Sequence, residues 1–162
     1  MQHWWCARIW QRRSKTLLVS YRKRCAEFMR YLAIDLGAKR TGLAAGDDVL
    51  RIVQPVEVLM VSRGPALMDA LAKSIDRHGP DALVIGLPIN MDGTEGAAVT
   101  DAREFGAAIA ARVRLPVHFH DERLSSFEAD QRMSQSGRTH REKKELRDAL
   151  AACAILEAYL AR

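Results

Sequence analysis

The sequence is poor in the features that mark several protein classes. Its 162 residues include three cysteines and five prolines, and aromatic side chains make up 6% of the chain. With 48% hydrophobic residues and only ten glycines, collagen-like and wholly disordered classes are excluded. No apolar run approaches the roughly 18 residues of a membrane-spanning helix. The length fits one globular domain with its own hydrophobic core.

The few cysteines exclude a disulfide framework. Cys6, Cys25 and Cys153 are odd in number, far apart in the chain, and not in a metal-ligand spacing. This pattern predicts inert or buried thiols in a protein of a reducing compartment.

Positive charge is concentrated at the start of the chain. The net charge is +5, yet residues 1–30 alone carry eight Lys or Arg and one acid, so residues 31–162 sum to −2. All three tryptophans lie within the first ten residues. The first 28 residues could be a basic arm that stacks on nucleic acid, an Arg-rich targeting segment, or a mis-called start with translation beginning at Met29. We expect a disordered or mis-called extension over 1–28 and one folded domain over 29–162.

Hydrophobic periodicity and turn residues predict five strands and four helices. The strands are expected over 31–36, 41–46, 49–59, 82–87 and 116–120, with Pro55 as a breaking point in the third. The helices are expected over 64–78, 96–113, 125–135 and 146–160, with polar loops over 90–96 and 136–145. Short turns between the first three strands indicate an antiparallel meander, and strands reached through helices indicate parallel additions. The fold class is therefore α/β, with a mixed five-stranded sheet and helices on its faces.

Asp35 is the single charge in an otherwise apolar first strand. An unpaired buried carboxylate costs several kcal/mol, so this one should be paired, protonated or bound to a cation. The simpler alternative is an aspartate that begins the turn at Gly37.

Two further acids follow the fifth strand. Asp121 and Glu122 come where open α/β sheets place their ligands, at the carboxyl end of a strand. The alternative is a favourable charge at a helix start, worth about 0.3–1 kcal/mol.

Asp148 is predicted near the start of the last helix, on one face with Ala152, Ile155 and Tyr159. Alanine occupies four positions within 149–154, which keeps this helix thin and lets its backbone approach the sheet. A dipole-stabilising acid is again the alternative.

Together, these acids can converge on one sheet edge as a hard-oxygen site for Mg²⁺ or Mn²⁺. Two such ions about 4 Å apart can activate a water and stabilise a leaving oxygen in phosphodiester cleavage. Zinc is disfavoured, because His118 and His120 have no cysteine or third histidine beside them in the sequence. The two histidines are expected to pack or to contact substrate.

Several other side chains suit a phosphate-rich substrate. Lys39 and Arg40 follow Asp35, Arg123 follows Glu122, and the 138–144 segment is basic. Each could equally be ordinary solvated charge. Asn90 lies in a segment with turn chemistry that could position a substrate strand or merely connect two elements.

Four parts of the chain resemble the YqgF/RuvX family. They read AIDLGAKRTGLA at 33–44, VIGLPINMDGTE at 84–95, DERLSS at 121–126, and DALAA with ILE at 148–152 and 155–157. The motifs occur in the family's order over residues 30–160. The extension before the first strand departs from the family pattern.

The resemblance implies a ribonuclease H-like fold and a cytoplasmic bacterial nuclease that matures the 5′ end of pre-16S ribosomal RNA. An older description of the family is Holliday junction resolvase. By motif position, Asp35, Glu122 and Asp148 are the catalytic metal-binding acids, with Asp121 as a further catalytic candidate. Lys39, Arg40, Asn90 and Arg123 are the expected substrate-binding residues.

Four functions are therefore considered. The leading one is an endonuclease with a two-metal Mg²⁺ or Mn²⁺ site that uses water to cut structured RNA, as a monomer or homodimer without membrane contact. A junction resolvase acting on branched DNA should be a dimer, because it cuts two strands symmetrically. An ATP-binding domain of the sugar-kinase and actin superfamily would need a second domain, for which the 132 residues after position 30 are too few. A non-catalytic RNA-binding factor is the fourth.

Overall fold

The structure, a computed structural model, describes residues 28–90, 92–121 and 140–162, with the backbone alone for 140–146. These residues form five strands and three helices. The elements are β1 Arg30–Leu36, β2 Thr41–Asp47, β3 Val53–Leu59, α1 Pro65–His78, β4 Ala82–Leu87, α2 Ala97–Val113, β5 Val117–Asp121 and α3 His140–Leu160.

The strands form one mixed sheet in the order β3-β2-β1-β4-β5. β1 pairs antiparallel with β2, and β2 pairs antiparallel with β3. β4 pairs parallel with β1 on one side and with β5 on the other. The predicted meander with parallel additions is confirmed, and β1, β4 and β5 end at the same edge of the sheet.

The two faces of the sheet carry side chains of different size. Leu32 and Ile34 of β1 pack with Leu71 of α1 and Ile109 of α2. On the other face, alanines of β1 and β2 pack against α3. Strand residues alternate between faces, so α1 and α2 cover the face with large side chains and α3 covers the face with small ones.

The predicted first helix is confirmed, with Leu67, Leu71 and Ile75 buried on one face. It ends at Gly79, which has a left-handed backbone and donates its N–H to the Ile75 carbonyl at 2.8 Å. Glycine tolerates this conformation without steric cost.

α2 lies close to the sheet because of a glycine. A Cβ placed on Gly106 would meet the ring of Phe119 on β5 at 2.6 Å. A larger residue at this position would therefore push the helix off the strand.

The third strand begins at Val53, not at residue 49 as predicted. Asp47 Oδ1 accepts the backbone N–H groups of Val49 at 3.0 Å and Leu50 at 2.6 Å, which closes a turn. Arg51 has a positive φ of 52° in the same turn. Local hydrogen bonds of aspartate thus compete with the strand.

β3 is also not broken at Pro55. The strand is continuous and absorbs the irregularity as a register shift opposite Leu43 and Ala44. β3 is an edge strand, where a proline that cannot donate a ladder hydrogen bond is tolerated.

The last helix begins at His140, so the prediction of a loop over 136–145 is wrong for 140–145. Asp148 consequently lies in the third turn of α3 rather than near its start. The predicted helix over 125–135 lies outside the described residues.

Cys153 is buried in α3 as a thiol outside any disulfide, as predicted. Cys6 and Cys25 lie outside the described residues. None of the helices within the described parts of the chain is long and apolar enough to cross a bilayer.

Candidate active site

Asp35 lies one residue before the end of β1, on the face of the sheet that α3 covers. It shares this face with Ala33, which is fully buried against α3, because residues two apart in a strand point the same way. Its side chain is half-buried. Its partner across the antiparallel pair is Gly42 of β2.

Gly42 allows α3 to approach Asp35. A Cβ on Gly42 would overlap the backbone carbonyl of Asp148. Since Gly42 sits directly opposite Asp35, this close approach brings the third turn of α3 beside the end of β1. The alanine-rich, thin helix that the sequence predicts is the partner in this contact, with Ala152 fully buried against the sheet.

Arg40 links the turn after β1 to α3. It lies in the turn after β1, and its Nε is 3.0 Å from Oδ2 of Asp148. The Arg40 side chain is 25% exposed and that of Asp148 is 19% exposed. A pair this far withdrawn from water is screened less than a surface pair. The structure therefore places Asp35, Arg40 and Asp148 together.

Asp121 lies on the opposite face of the sheet. β5 pairs Asp121 with Leu87, and Leu87 packs with Val99 and Ala102 of α2. The structure thus does not bring Asp121 together with Asp35 and Asp148, which are on the α3 face. Glu122 and Arg123, the other predicted residues of this segment, lie outside the described residues.

Lys39 and Asn90 lie at the same edge of the sheet. Lys39 is exposed in the turn that carries Arg40. Asn90, three residues after β4, is exposed and donates its side-chain amide to Thr94 Oγ1 at 2.9 Å. Its backbone N–H donates to the Thr94 carbonyl at 3.1 Å. The turn chemistry predicted for this segment is therefore present.

Asp92 closes the same turn. Its Oδ1 accepts the Thr94 hydroxyl at 2.6 Å and the Thr94 backbone N–H at 2.9 Å. These bonds favour the charged carboxylate and hold the pKa of Asp92 below its ordinary value.

Arg63 is a residue that the sequence did not identify. Its guanidinium donates to the carbonyls of Leu36 at 2.8 Å and Gly37 at 3.4 Å, just after Asp35. Its backbone N–H donates to the Ala38 carbonyl, and Nη1 is 3.7 Å from Oδ2 of Asp101 on α2. Arg63 thus fastens the turn that carries Lys39 and Arg40. A lone arginine before a helix gives no sequence signal of such a role.

The two histidines of β5 pack against the end of α3. The rings of His118 and His120 lie 5.5 Å and 6.3 Å from that of Tyr159. Burial, and then the positive charge of Arg162, lower the pKa of His120, while Asp121 partly opposes them. The packing role predicted for these histidines is confirmed.

The fold is ribonuclease H-like. RuvC of T. thermophilus, solved with a Holliday junction substrate, superposes with a TM-score of 0.52 at 18% identity, covering 83% of this chain and 95% of RuvC. The Fowlpox virus resolvase, solved with Holliday junction DNA, gives a TM-score of 0.55 at 12% identity, covering 82% and 97%. At such identities the likeness concerns the fold alone.

The sequence relatives are more specific. A relative from Anaeromyxobacter sp. (strain Fw109-5) is 42% identical over 132 residues, which is 82% of this chain and 96% of the relative. Another from Maridesulfovibrio salexigens is 37% identical over 134 residues, covering 83% and 99%. Both are described as "Putative pre-16S rRNA nuclease".

The family model "RuvX: Holliday junction resolvase" matches residues 29–162. This chain belongs to the RuvX family, and the family predicted from the motifs is confirmed.

Proposed function

We propose that this chain is a divalent-metal-dependent endonuclease whose substrate is structured RNA at the 5′ end of pre-16S ribosomal RNA. The observation that carries the proposal is the meeting of Asp35 and Asp148 on one face of the sheet, in a chain of the RuvX family. The names of the relatives support the nuclease class and suggest the RNA substrate. A cytoplasmic location and a monomer or homodimer belong to the same proposal.

The donor set fits a hard divalent cation. Carboxylate oxygens are the ligands that Mg²⁺ and Mn²⁺ prefer, and these ions usually keep several waters. Asp35 and Asp148 would supply two of the carboxylates, and Glu122 is proposed as the third. Asp121 is left out, because the strand register puts it on the other face. When bound, Mg²⁺ or Mn²⁺ would activate a water and neutralise charge at the scissile phosphate.

The basic residues and Asn90 are proposed to contact the substrate, and Arg63 holds the turn after β1. Arg40 and Lys39 offer cations beside the acids, and Arg123 is proposed as a further phosphate contact. Arg63 holds the turn by its bonds to the carbonyls after Asp35. Asn90 lies beyond the carboxyl end of β4 and is proposed to contact the substrate strand. A water oxygen attacks the phosphorus, and the bond from phosphorus to the leaving oxygen breaks.

The test is the variant Asp35→Asn in the full chain, assayed on pre-16S RNA with Mn²⁺. The amide keeps the shape but removes the negative charge, so cleavage should fall by about 100-fold or more, the scale seen when one aligned electrostatic group is lost. Circular dichroism should show that the variant keeps its fold.

Asp76→Asn is the matched control, because Asp76 is an exposed acid on α1. It should cleave at the wild-type rate. Cleavage by Asp35→Asn at that same rate would show that the active site has been assigned wrongly.

A junction resolvase is the second candidate, favoured by the description of the family model. Its discriminating property is symmetric cutting by a dimer.

A further inference from the structure

We propose that Arg40 acts as a switch between the acid site and the substrate. Without a divalent ion it holds Asp148, and when an ion takes that carboxylate, Arg40 is released to bind the nucleic-acid backbone. The inference rests on the proposed metal-dependent nuclease function and adds a regulatory step to it.

The ion pair occupies an oxygen that a metal ion would need. Arg40 Nε lies 3.0 Å from Oδ2 of Asp148, with both side chains at least three-quarters covered. This oxygen cannot stay in a close pair with the guanidinium and bind a cation equally well. A divalent ion that binds this oxygen would therefore compete with Arg40 for Asp148.

Charge repulsion favours the exchange. Asp35 and Asp148 are carried by backbone segments in close contact, and Arg40 pairs with Asp148. A divalent ion on the same oxygens brings two positive charges beside the guanidinium, and like charges repel strongly where water is partly excluded. Binding of the ion therefore weakens the hold of Asp148 on Arg40.

The released guanidinium suits a phosphate. Arginine presents five N–H donors in a planar fork that matches phosphate oxygens two at a time. The turn that carries Arg40 is fixed by Arg63, so its side chain can move while its backbone stays in place. Arg40 would thus contact RNA only when a divalent ion is bound at Asp148.

The first test is Mn²⁺ affinity, measured by calorimetry on the full chain without RNA. Arg40→Gln removes the competitor and its charge, so Mn²⁺ should bind about three- to tenfold more tightly than to wild type. Lys73→Gln is the matched control, because it removes one positive charge from an exposed residue of α1, on the other face of the sheet. It should change the affinity by less than about twofold, since exposed charges are screened.

The second test is RNA affinity, measured in EDTA and in Ca²⁺. In EDTA, wild type and Arg40→Gln should bind RNA within about twofold of each other, because Arg40 is held by Asp148. In Ca²⁺, Arg40→Gln should bind several-fold more weakly. A residue with a merely structural role would change RNA affinity in both conditions.

Equal or weaker Mn²⁺ binding by Arg40→Gln, beside normal binding by wild type, would overturn the switch and leave the nuclease proposal standing. Absence of Mn²⁺ binding by wild type would remove the metal site and the switch together. If Arg40→Gln does not fold, Arg40→Met replaces it. Methionine keeps a long unbranched side chain but has no charge and no N–H donor, so Mn²⁺ should again bind more tightly than to wild type, and equal or weaker binding overturns the switch here too.

Discussion

The Asp92 carboxylate is held by two bonds from one residue, and this makes its ionisation a sensitive probe of the turn after β4. Thr94→Val keeps the side-chain shape but removes the hydroxyl that donates at 2.6 Å. The pKa of Asp92 should rise towards its ordinary value, though not fully, because the Thr94 backbone N–H still donates. Carbon-13 NMR titration of the carboxylates measures this.

The stability of the fold should depend on pH through Asp92. The pKa of Asp92 is lower in the folded chain than in the unfolded one, so the charged form stabilises the fold above the unfolded pKa. That contribution is lost as the pH falls through the folded pKa, and Thr94→Val should make the loss smaller. An unmoved Asp92 pKa would show that the hydroxyl bond does not hold this turn in solution.

For single residues, the sequence identifies those whose charge differs from that of their neighbours. Asp35 and Asp148 were identifiable because each is an acid among apolar or small residues. Arg63 was not, because its partners are backbone carbonyls 26 and 27 residues earlier in the chain. Carbonyls are present at every position, so no residue pattern marks the ones that an arginine will reach.

The contact between α3 and β2 positions the two acids. Gly42→Ala adds a Cβ that would overlap the Asp148 carbonyl, so α3 must shift outward and take Asp148 with it. Overpacking of this kind typically costs about 1–3 kcal/mol, and cleavage should fall with it. Thermal melting and the Mn²⁺ assay on pre-16S RNA measure the two effects.

Gly96→Ala is the control for this substitution. A Cβ there would meet its nearest neighbour, the Asn90 amide, at 3.5 Å, which is an ordinary contact. Its melting temperature should fall less than that of Gly42→Ala, because the change only replaces a favourable glycine at the N-cap of α2. Equal stability of Gly42→Ala and wild type would mean that the helix does not lie this close to the strand.

Element boundaries were predicted well where apolar periodicity is strong and poorly where charge dominates. β4 was placed residue for residue, because it is a short apolar run that ends at Pro88. The sequence predicts a loop for the first turns of α3, because residues 140–145 are almost all charged and have no apolar period. Glu, Lys and Arg are nevertheless good helix formers, so a charged start to a helix looks like a loop when only apolar spacing is counted.

The net charge of the whole molecule differs between its first 28 residues and the rest of the chain. From Met29 onward the chain carries 18 Lys or Arg and 19 acids, a net charge of −1. This part of the chain, which the family model matches, therefore has no general attraction for a polyanion. The net charge of +5 comes from residues 1–28, which carry seven Lys or Arg and one acid.

The substrates are separated by one parallel experiment. In Mn²⁺, the full chain should cleave pre-16S RNA and should not make paired, symmetric cuts in a synthetic four-way junction. Sedimentation of the same preparation reports whether the chain is a monomer or a homodimer. A dimer that makes paired cuts in the junction and leaves the RNA intact would establish the resolvase instead.

Side chains of β5 alternate between the two faces of the sheet, so the face that an acid occupies depends on its position in the strand. His120 and Asp121 are neighbours in the chain, yet the pairing of β4 with β5 sends them to opposite faces of the sheet. Deleting one residue between Val117 and His120 would move Asp121 to the face of Asp35 and Asp148 if the pairing upstream were kept. The register between β4 and β5 therefore decides which face of the sheet receives the Asp121 carboxylate.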